Sequence, residues 1–417
     1  MQFEHVTCPH CGILCDDLSV EVSESTVTPL NVLHSQCTKA FQQAGFDNAN
    51  LPTPQIDGKE STLQMAIEKA VSILKNSSQP LISGLIADVQ ACREAVALTE
   101  KVRGVIDHAN GPASRPNIAV MQRHGKVKTT LAEARNRADN IIIFGSEILD
   151  RFPRLMDRVL EPNQSLGSEN TVNKKITIIE SQAQPEKKFK QNNINYLRLD
   201  APNLESIIQI LELIVHTDIT PDEDDNVTKK LLSIHQQILD SQYSVLIWST
   251  GLLNIASAEQ TIQSISQIMK SLMKQVRCVG LPLGGSKGEI TANQVVTWQT
   301  GVPLPVGFMG GTPVHDPLLY NGVDMLKNNE ADALVWLSTY SSDDIPPNTD
   351  IAKIVIGHPG MKVSKNTSVF IPVGIPGIDT RGLACRTDSV ATLPLQKIRN
   401  NDLPVASDVL NKMIEML

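Results

Sequence analysis

Residues 140–145 read NIIIFG, in which the unbroken apolar run Ile141–Phe144 follows Asn140 and is closed by glycine. A strand with one wet face alternates apolar and polar residues, whereas a continuous apolar run fits a sheet covered on both faces. The same signature recurs in PLISGL (80–85), KITIIES (175–181), YSVLIWST (243–250), ALVWLST (333–339), AKIVIGH (352–358) and SVFIPVG (368–374). Between these runs the apolar spacing changes to that of helices, over Leu63 to Leu74, Ala91 to Val102, Leu204 to Val215 and Ala258 to Val276. In the last, Ile262, Ile265, Ile268, Met269, Leu272 and Met273 fall on one helical face. Strands alternating with amphipathic helices predict an α/β protein with doubly wound, largely parallel sheets.

A chain of 417 residues exceeds what one core usually holds, so two or three domains are expected. The polar, proline-bearing NLPTPQIDGKESTL (50–63) reads as a link. It would separate a small cysteine-rich domain at 1–50 from a first α/β domain at 60–239. A second α/β domain, starting near Asp240, would fill 240–417 and return to the first. Two polar loops, 160–175 and 217–230, interrupt the pattern. There are 37 Lys and Arg against 45 Asp and Glu, and the net charge of −8 argues against nucleic-acid or anionic-membrane partners. No apolar run reaches membrane-spanning length, and MQFEHVTCPH lacks the pattern of a signal peptide. The expectation is a cytoplasmic protein whose cysteines are reduced.

Three of the seven cysteines crowd into CPHCGILCDD (8–17), and a fourth follows in LHSQCTKAF (33–41). The spacing Cys8-x2-Cys11-x3-Cys15-x21-Cys37 gives four thiolates, the right number for Zn²⁺ or a [4Fe-4S] cluster. Paired CxxC knuckles are usual for zinc, and CxxCxxxC with one distant Cys is commoner for iron–sulfur. A vestigial set of small buried cysteines is the bland alternative.

Other motifs are weaker. GLPLGGSK (280–287) has the spacing of a phosphate loop but ends Ser-Lys where Lys then Ser or Thr is required. No serine nucleophile elbow and no HExxH are present. Among nine histidines, His108, His124 and His315 read as loop residues of surface or capping type. Cys92, Cys278 and Cys385 read as small core residues, with Cys278 and Cys385 close to glycine-rich loops.

The cysteine segment ahead of two α/β units resembles the molybdopterin-dependent oxidoreductases. Together with LAEARNRADNIIIFGSE (131–147), ITANQVVTWQTGVPLPVGF (290–308) and LACRTDSV (383–390), it resembles the B subunit of formylmethanofuran dehydrogenase over nearly the whole chain. The resemblance implies one of two roles. In archaea, such a subunit carries a [4Fe-4S] cluster and a tungsten or molybdenum pterin and reduces CO₂. In methylotrophic bacteria, its homologue sits in a formyltransferase/hydrolase complex that releases formate without redox chemistry.

Archaeal members share a Cys-His-Gly-Pro stretch before the RNRAD unit, and the corresponding region here, VIDHANGPASRPNIAVMQRHG (105–125), contains no cysteine. Counting back from Gly125 sets Ala113 and Ser114 opposite the Cys-His pair, and neither supplies the soft thiolate that tungsten or molybdenum would use. An insertion would place His108 nearer. The resemblance therefore implies a structural, non-catalytic B subunit in one-carbon metabolism, with other complex subunits as partners and no Mo or W pterin. It leaves Cys8, Cys11, Cys15 and Cys37 as a cluster site or its remnant. The alternatives are an active dehydrogenase subunit, using Cys278 or Cys385 as substitute ligand, and an iron–sulfur electron carrier. The loops near 108–125, 280–290 and 305–317 are the expected interface.

Overall fold

The structure, a computed structural model, describes residues 1–417 apart from 24–25, 33, 44–49, 162–173, 186, 188–193, 218–224 and 285. The polar loops expected at 160–175 and 217–230 therefore lie largely outside the described residues. Every apolar run forms a strand: Pro80–Ile86, Asn140–Phe144, Lys175–Ser181, Tyr243–Trp248, Ala333–Ser338, Ala352–Gly357 and Val369–Pro372. The four expected helices form at Leu63–Lys75, Val89–Lys101, Leu204–His216 and Ala258–Leu272. Three begin where a side-chain oxygen caps orphan amides: Thr62 accepts from Met65, Asp88 from Gln90 and Ala91, and Asn203 from Ser206.

The chain divides into one unit of Met1–Gly111 with Gly285–Leu417 and a second of Pro112–Gly284. This differs from the expected boundaries of 60–239 and 240–417. The cause is pairing: Ala333–Ser338 lies parallel to Pro80–Ile86, while Tyr243–Trp248 lies parallel to Asn140–Phe144. A buried apolar run has the same composition whichever sheet it joins, so the partner is invisible in the run itself.

The second unit holds a five-stranded sheet in the order Ile194–Leu199, Lys175–Ser181, Asn140–Phe144, Tyr243–Trp248, Arg277–Pro282, with every neighbouring pair parallel. Ile142, Phe144, Leu246 and Trp248 pack with helices Leu204–His216, Asn226–Leu239 and Ala258–Leu272. The alternate residues Ile141, Ile143, Val245 and Ile247 are also fully buried, so both faces are covered. Gly280 is required by this packing, because a Cβ there would lie 2.7 Å from the Trp248 ring and 2.9 Å from Met269 Sδ.

The first unit holds a nine-stranded sheet whose centre runs Val105–Ile106, Pro80–Ile86, Ala333–Ser338, Ala352–Gly357, Val369–Pro372, all parallel. Ile82, Val335, Ile354 and Val369 face one apolar cluster shared with helices Leu63–Lys75, Val89–Lys101 and Ala406–Met416. Leu81, Leu334, Val355 and Phe370 face another on the opposite side. The expected link at 50–63 is not free chain: Gln55–Ile56 and Lys59–Glu60 form a hairpin that adds to the sheet beside Val369–Pro372.

The N-terminal segment forms an antiparallel sheet of Gln2–Val6, Leu18–Val22 and Val27–Pro29, followed by helix Ser35–Gln43. It packs on Ile375, Ile378 and Ile398, so its core is shared with the unit and is not that of a separate 1–50 domain. Among the described residues, no helix is long and apolar enough to cross a membrane.

Candidate thiol site

The loop from Thr7 to Asp17 carries Cys8, Cys11 and Cys15, and a Cys8 N–H to Cys15 carbonyl bond of 2.9 Å closes it into a ring. The chain turns at Gly12 (φ 76°) and at Leu14 (φ 54°), a left-handed conformation costing a leucine on the order of 1 kcal/mol. Leu14 is buried, so packing holds that conformation in place. Cys37 comes from helix Ser35–Gln43. Cys8 and Cys15 are buried, Cys11 and Cys37 half-buried, and none of the seven cysteines is in a disulfide.

Burial raises the Cys8 thiol well above its ordinary pKa, and Cys11, Cys15 and Cys37 raise it further by like-charge repulsion. The backbone N–H of His10 acts in the opposite sense, as a donor to the Cys8 sulfur. The three other thiols thus stand close enough to act on Cys8. The set has the number and donor chemistry of a thiolate-bound centre, with one N–H already directed at sulfur, but not its convergence. A cluster bound there would supply electron transfer. As built, the described His, Cys, Asp and Glu side chains do not close into a coordinating group of three or more.

The thiol loop covers the carboxyl ends of the nine-stranded sheet. Leu14 packs with Ile86 and Tyr340, which end and follow two neighbouring strands. Cys8 and Phe41 pack with Ile375 and Ile378, beyond a third strand. Thr387 N–H donates to the Gly12 carbonyl at 2.8 Å. The strand lying between these, Ala352–Gly357, runs directly into His358.

His358 is completely buried. Its backbone N–H donates to the Ser338 carbonyl at 2.8 Å, and its Nδ1 accepts from Gly360 N–H at 3.0 Å. An accepting Nδ1 places the proton of the neutral ring on Nε2, and that atom has no partner among the described residues. Burial first, then His10 and Arg399, lower its pKa to about 3. His10 meets Phe41 edge-on at 5.3 Å. His10 is half-buried as a residue, but its Nε2 is buried and unpartnered among the described residues, and burial lowers its pKa to about 4. Arg399 and Asp379 form a buried ion pair at 2.7 Å, to which Asn401 adds a bond of 2.7 Å. The sequence motifs pass over His358 and Arg399, since an isolated His after a strand and a C-terminal Arg carry no local signature.

The other expected residues take different places. Ala113 and Ser114 lie on helix Gly111–His124, with Ser114 buried. His108 is a buried residue and not the surface type expected: Nδ1 accepts from Asn110 N–H at 2.9 Å, and burial lowers its pKa to about 4. Lys287 pairs with Asp344, so its ammonium is committed within the protein. His315 donates from Nδ1 to the Pro305 carbonyl at 3.0 Å. Cys92, Cys278 and Cys385 are core residues, as read, and burial pushes the Cys278 thiol up to about 12.

No family model matches the chain. It is 25% identical to the B subunit of the tungsten-containing formylmethanofuran dehydrogenase 2 of Methanocaldococcus jannaschii, over 94% of this chain and 93% of that protein. To the B subunit of the formyltransferase/hydrolase complex Fhc of Methylorubrum extorquens it is 23% identical, over 78% and 86%. A crystal structure of that organism's FhcABCD complex with methylofuran contains a chain of the same fold, with a TM-score of 0.75, 21% identity and coverage of 87% and 98%. The chain is thus similar, over most of its length, to the B subunits of both formylmethanofuran dehydrogenase and the formyltransferase/hydrolase complex.

Proposed function

We propose that the chain is the structural B subunit of a formyltransferase/hydrolase-type complex in one-carbon metabolism, without an active site of its own. One observation carries the reading. Residues 105–125 contain no thiol, and every thiol outside the tetrad is sealed in an apolar core. Cys92 and Cys385 belong to the core of the first unit, and Cys278 to that of the second. Burial raises the pKa of each, as expected of thiols packed in an apolar core. These residues do not fit a tungsten or molybdenum centre.

A subunit of this kind acts by holding partners, through an interface above about 2,000 Å² for a permanent complex. Val314, Leu318 and Leu319 support the expected interface around 305–317, because all three are exposed and Leu318 is 90% accessible. Replacing Leu318 with Asp should weaken co-purification of partner subunits at least about ten-fold, or 1.4 kcal/mol.

The test is to express the chain alone and with its partner subunits, then assay formyl transfer and hydrolysis. Activity confined to the assembly and indifferent to His108→Ala and Lys287→Ala supports the reading. Activity of the isolated chain, lost in those variants, overturns it. An active dehydrogenase subunit is the second reading, favoured by the greater coverage of the tungsten-containing relatives, 94% and 95% of this chain. It requires stoichiometric tungsten or molybdenum and viologen-linked formate oxidation.

A further inference from the structure

We infer that the second unit carries a binding recess for a small monocarboxylate with an apolar body, seated between helices Gly111–His124 and Ala258–Leu272 with its carboxylate at Lys126. The site is separate from the structural role proposed above.

The recess follows from how the chain leaves helix Gly111–His124. Gly125, at φ 73°, ends that helix with its N–H on the Met121 carbonyl at 2.9 Å, a left-handed turn that glycine makes at least cost. Residues 126–128 then return beside strand Arg277–Pro282. Gly280 N–H donates to the Val127 carbonyl at 3.3 Å, and Thr129 N–H donates to the Gly280 carbonyl at 2.8 Å. Between this return and helix Ala258–Leu272 lies a recess of about 290 Å³, its open mouth included, near the lower end of small-molecule sites. Val120, Val127, Trp248, Ile262 and Met269 line it, and all but Val127 are buried.

Two polar groups in this apolar setting identify the occupant. Ser266 also lines the recess; it is 5% exposed, and its Oγ is buried with no partner among the described residues. A serine or threonine inside a helix commonly turns its hydroxyl back to the carbonyl four residues earlier, as Thr261 does to Ser257 at 3.0 Å. Ser266 does not. A buried hydroxyl without a partner is a standing cost, and a ligand atom in the recess would remove it. Lys126 is the second group, and its exposure as a residue sets it at the open side. Among the described residues it has no ion pair or hydrogen bond. Burial first, then the like charge of Lys128, lower its pKa to about 8, and an anion would offset both effects. Lys270, whose ammonium donates to the His124 carbonyl, adds another positive charge beside the turn. Apolar walls with a cation at the rim recognise an apolar body that carries an anionic head.

The probe is benzoate, titrated against the full chain co-purified with its partner subunits and followed by saturation-transfer NMR. Its dissociation constant should be about 1 mM or lower. Acetate, the head alone, should bind at least about ten-fold more weakly, because it buries no ring. Benzyl alcohol, which keeps the ring without the charge, should bind about three-fold more weakly. Lys126→Met keeps the apolar stem and should weaken benzoate by about the same factor while leaving benzyl alcohol unchanged. Ser266→Phe fills the recess and should abolish binding of both.

Benzoate that binds no tighter than acetate, or that binds equally well to wild type, Lys126→Met and Ser266→Phe, would overturn the proposal. Thermal unfolding of each variant separates loss of fold from loss of the site. If the Ser266→Phe protein unfolds, Lys126→Met decides: selective weakening of benzoate supports the site, and unchanged benzoate binding contradicts it.

Discussion

The two parallel sheets end differently. In the second unit, polar groups at the carboxyl ends answer one another. Glu180 accepts from Ser146 N–H and Oγ–H at 2.9 Å each and from Ser181 N–H at 3.0 Å. Trp248 Nε1–H donates to Asn117 at 3.2 Å, and Asn117 donates to Thr250 at 2.5 Å. In the first unit, the corresponding ends leave Ser338 Oγ, Tyr340 OH, His108 Nε2 and His358 Nε2 buried without partners among the described residues. Similar strands thus support a self-satisfied edge in one unit and an edge with unspent hydrogen-bonding capacity in the other. The four unpartnered groups named in the first unit lie among the described residues at the edge beneath the thiol loop.

The largest expected effect that sharpens this comparison is on stability against pH. His108 and His358 are buried, with pKa values lowered from 6.5 to about 4 and about 3. Between those values and 6.5 the unfolded chain binds more protons than the folded one, so stability is complete above 6.5 and falls as pH falls. Two such groups should cost about 4 kcal/mol between pH 7 and pH 5, at about 1.4 kcal/mol per pH unit each. Urea unfolding at both pH values measures it, and His108→Asn with His358→Asn should flatten the dependence.

Next in size is Glu180→Ala, which strands three donors in the second unit and should cost roughly 3 kcal/mol by the same assay. A loss below about 1 kcal/mol would break the contrast, because it would mean that edge is not held by Glu180. The smallest effect is that of Tyr340→Phe. Its hydroxyl has no partner to lose, so stability should change by less than about 1 kcal/mol, and a rise is as compatible as no change. A substantial loss would place an unseen acceptor on Tyr340.

The sequence was informative where chemistry is local. NIIIFG and its counterparts marked all seven strands because burial on both faces leaves no polar alternation, and CPHCGILCDD marked the thiol loop by spacing alone. Weaker elements escaped it. Ile194–Leu199 has polar residues interleaved, and Gln55–Ile56 with Lys59–Glu60 looked like a link because a short edge hairpin is polar. The domain limits were misplaced because strand pairing between residues near 80 and near 335 is decided by tertiary packing. His358 was illegible for a related reason. Its significance lies in which strands flank it and in a tautomer set by Gly360, neither of which its neighbours in sequence display.

The most direct test of the account is elemental analysis of the native assembly, purified without oxygen. A structural B subunit whose region 105–125 offers no thiolate should carry tungsten and molybdenum far below one atom per chain, whether or not iron is present. One tungsten or molybdenum per chain, accompanied by formate oxidation, would contradict the account and make the chain a dehydrogenase subunit.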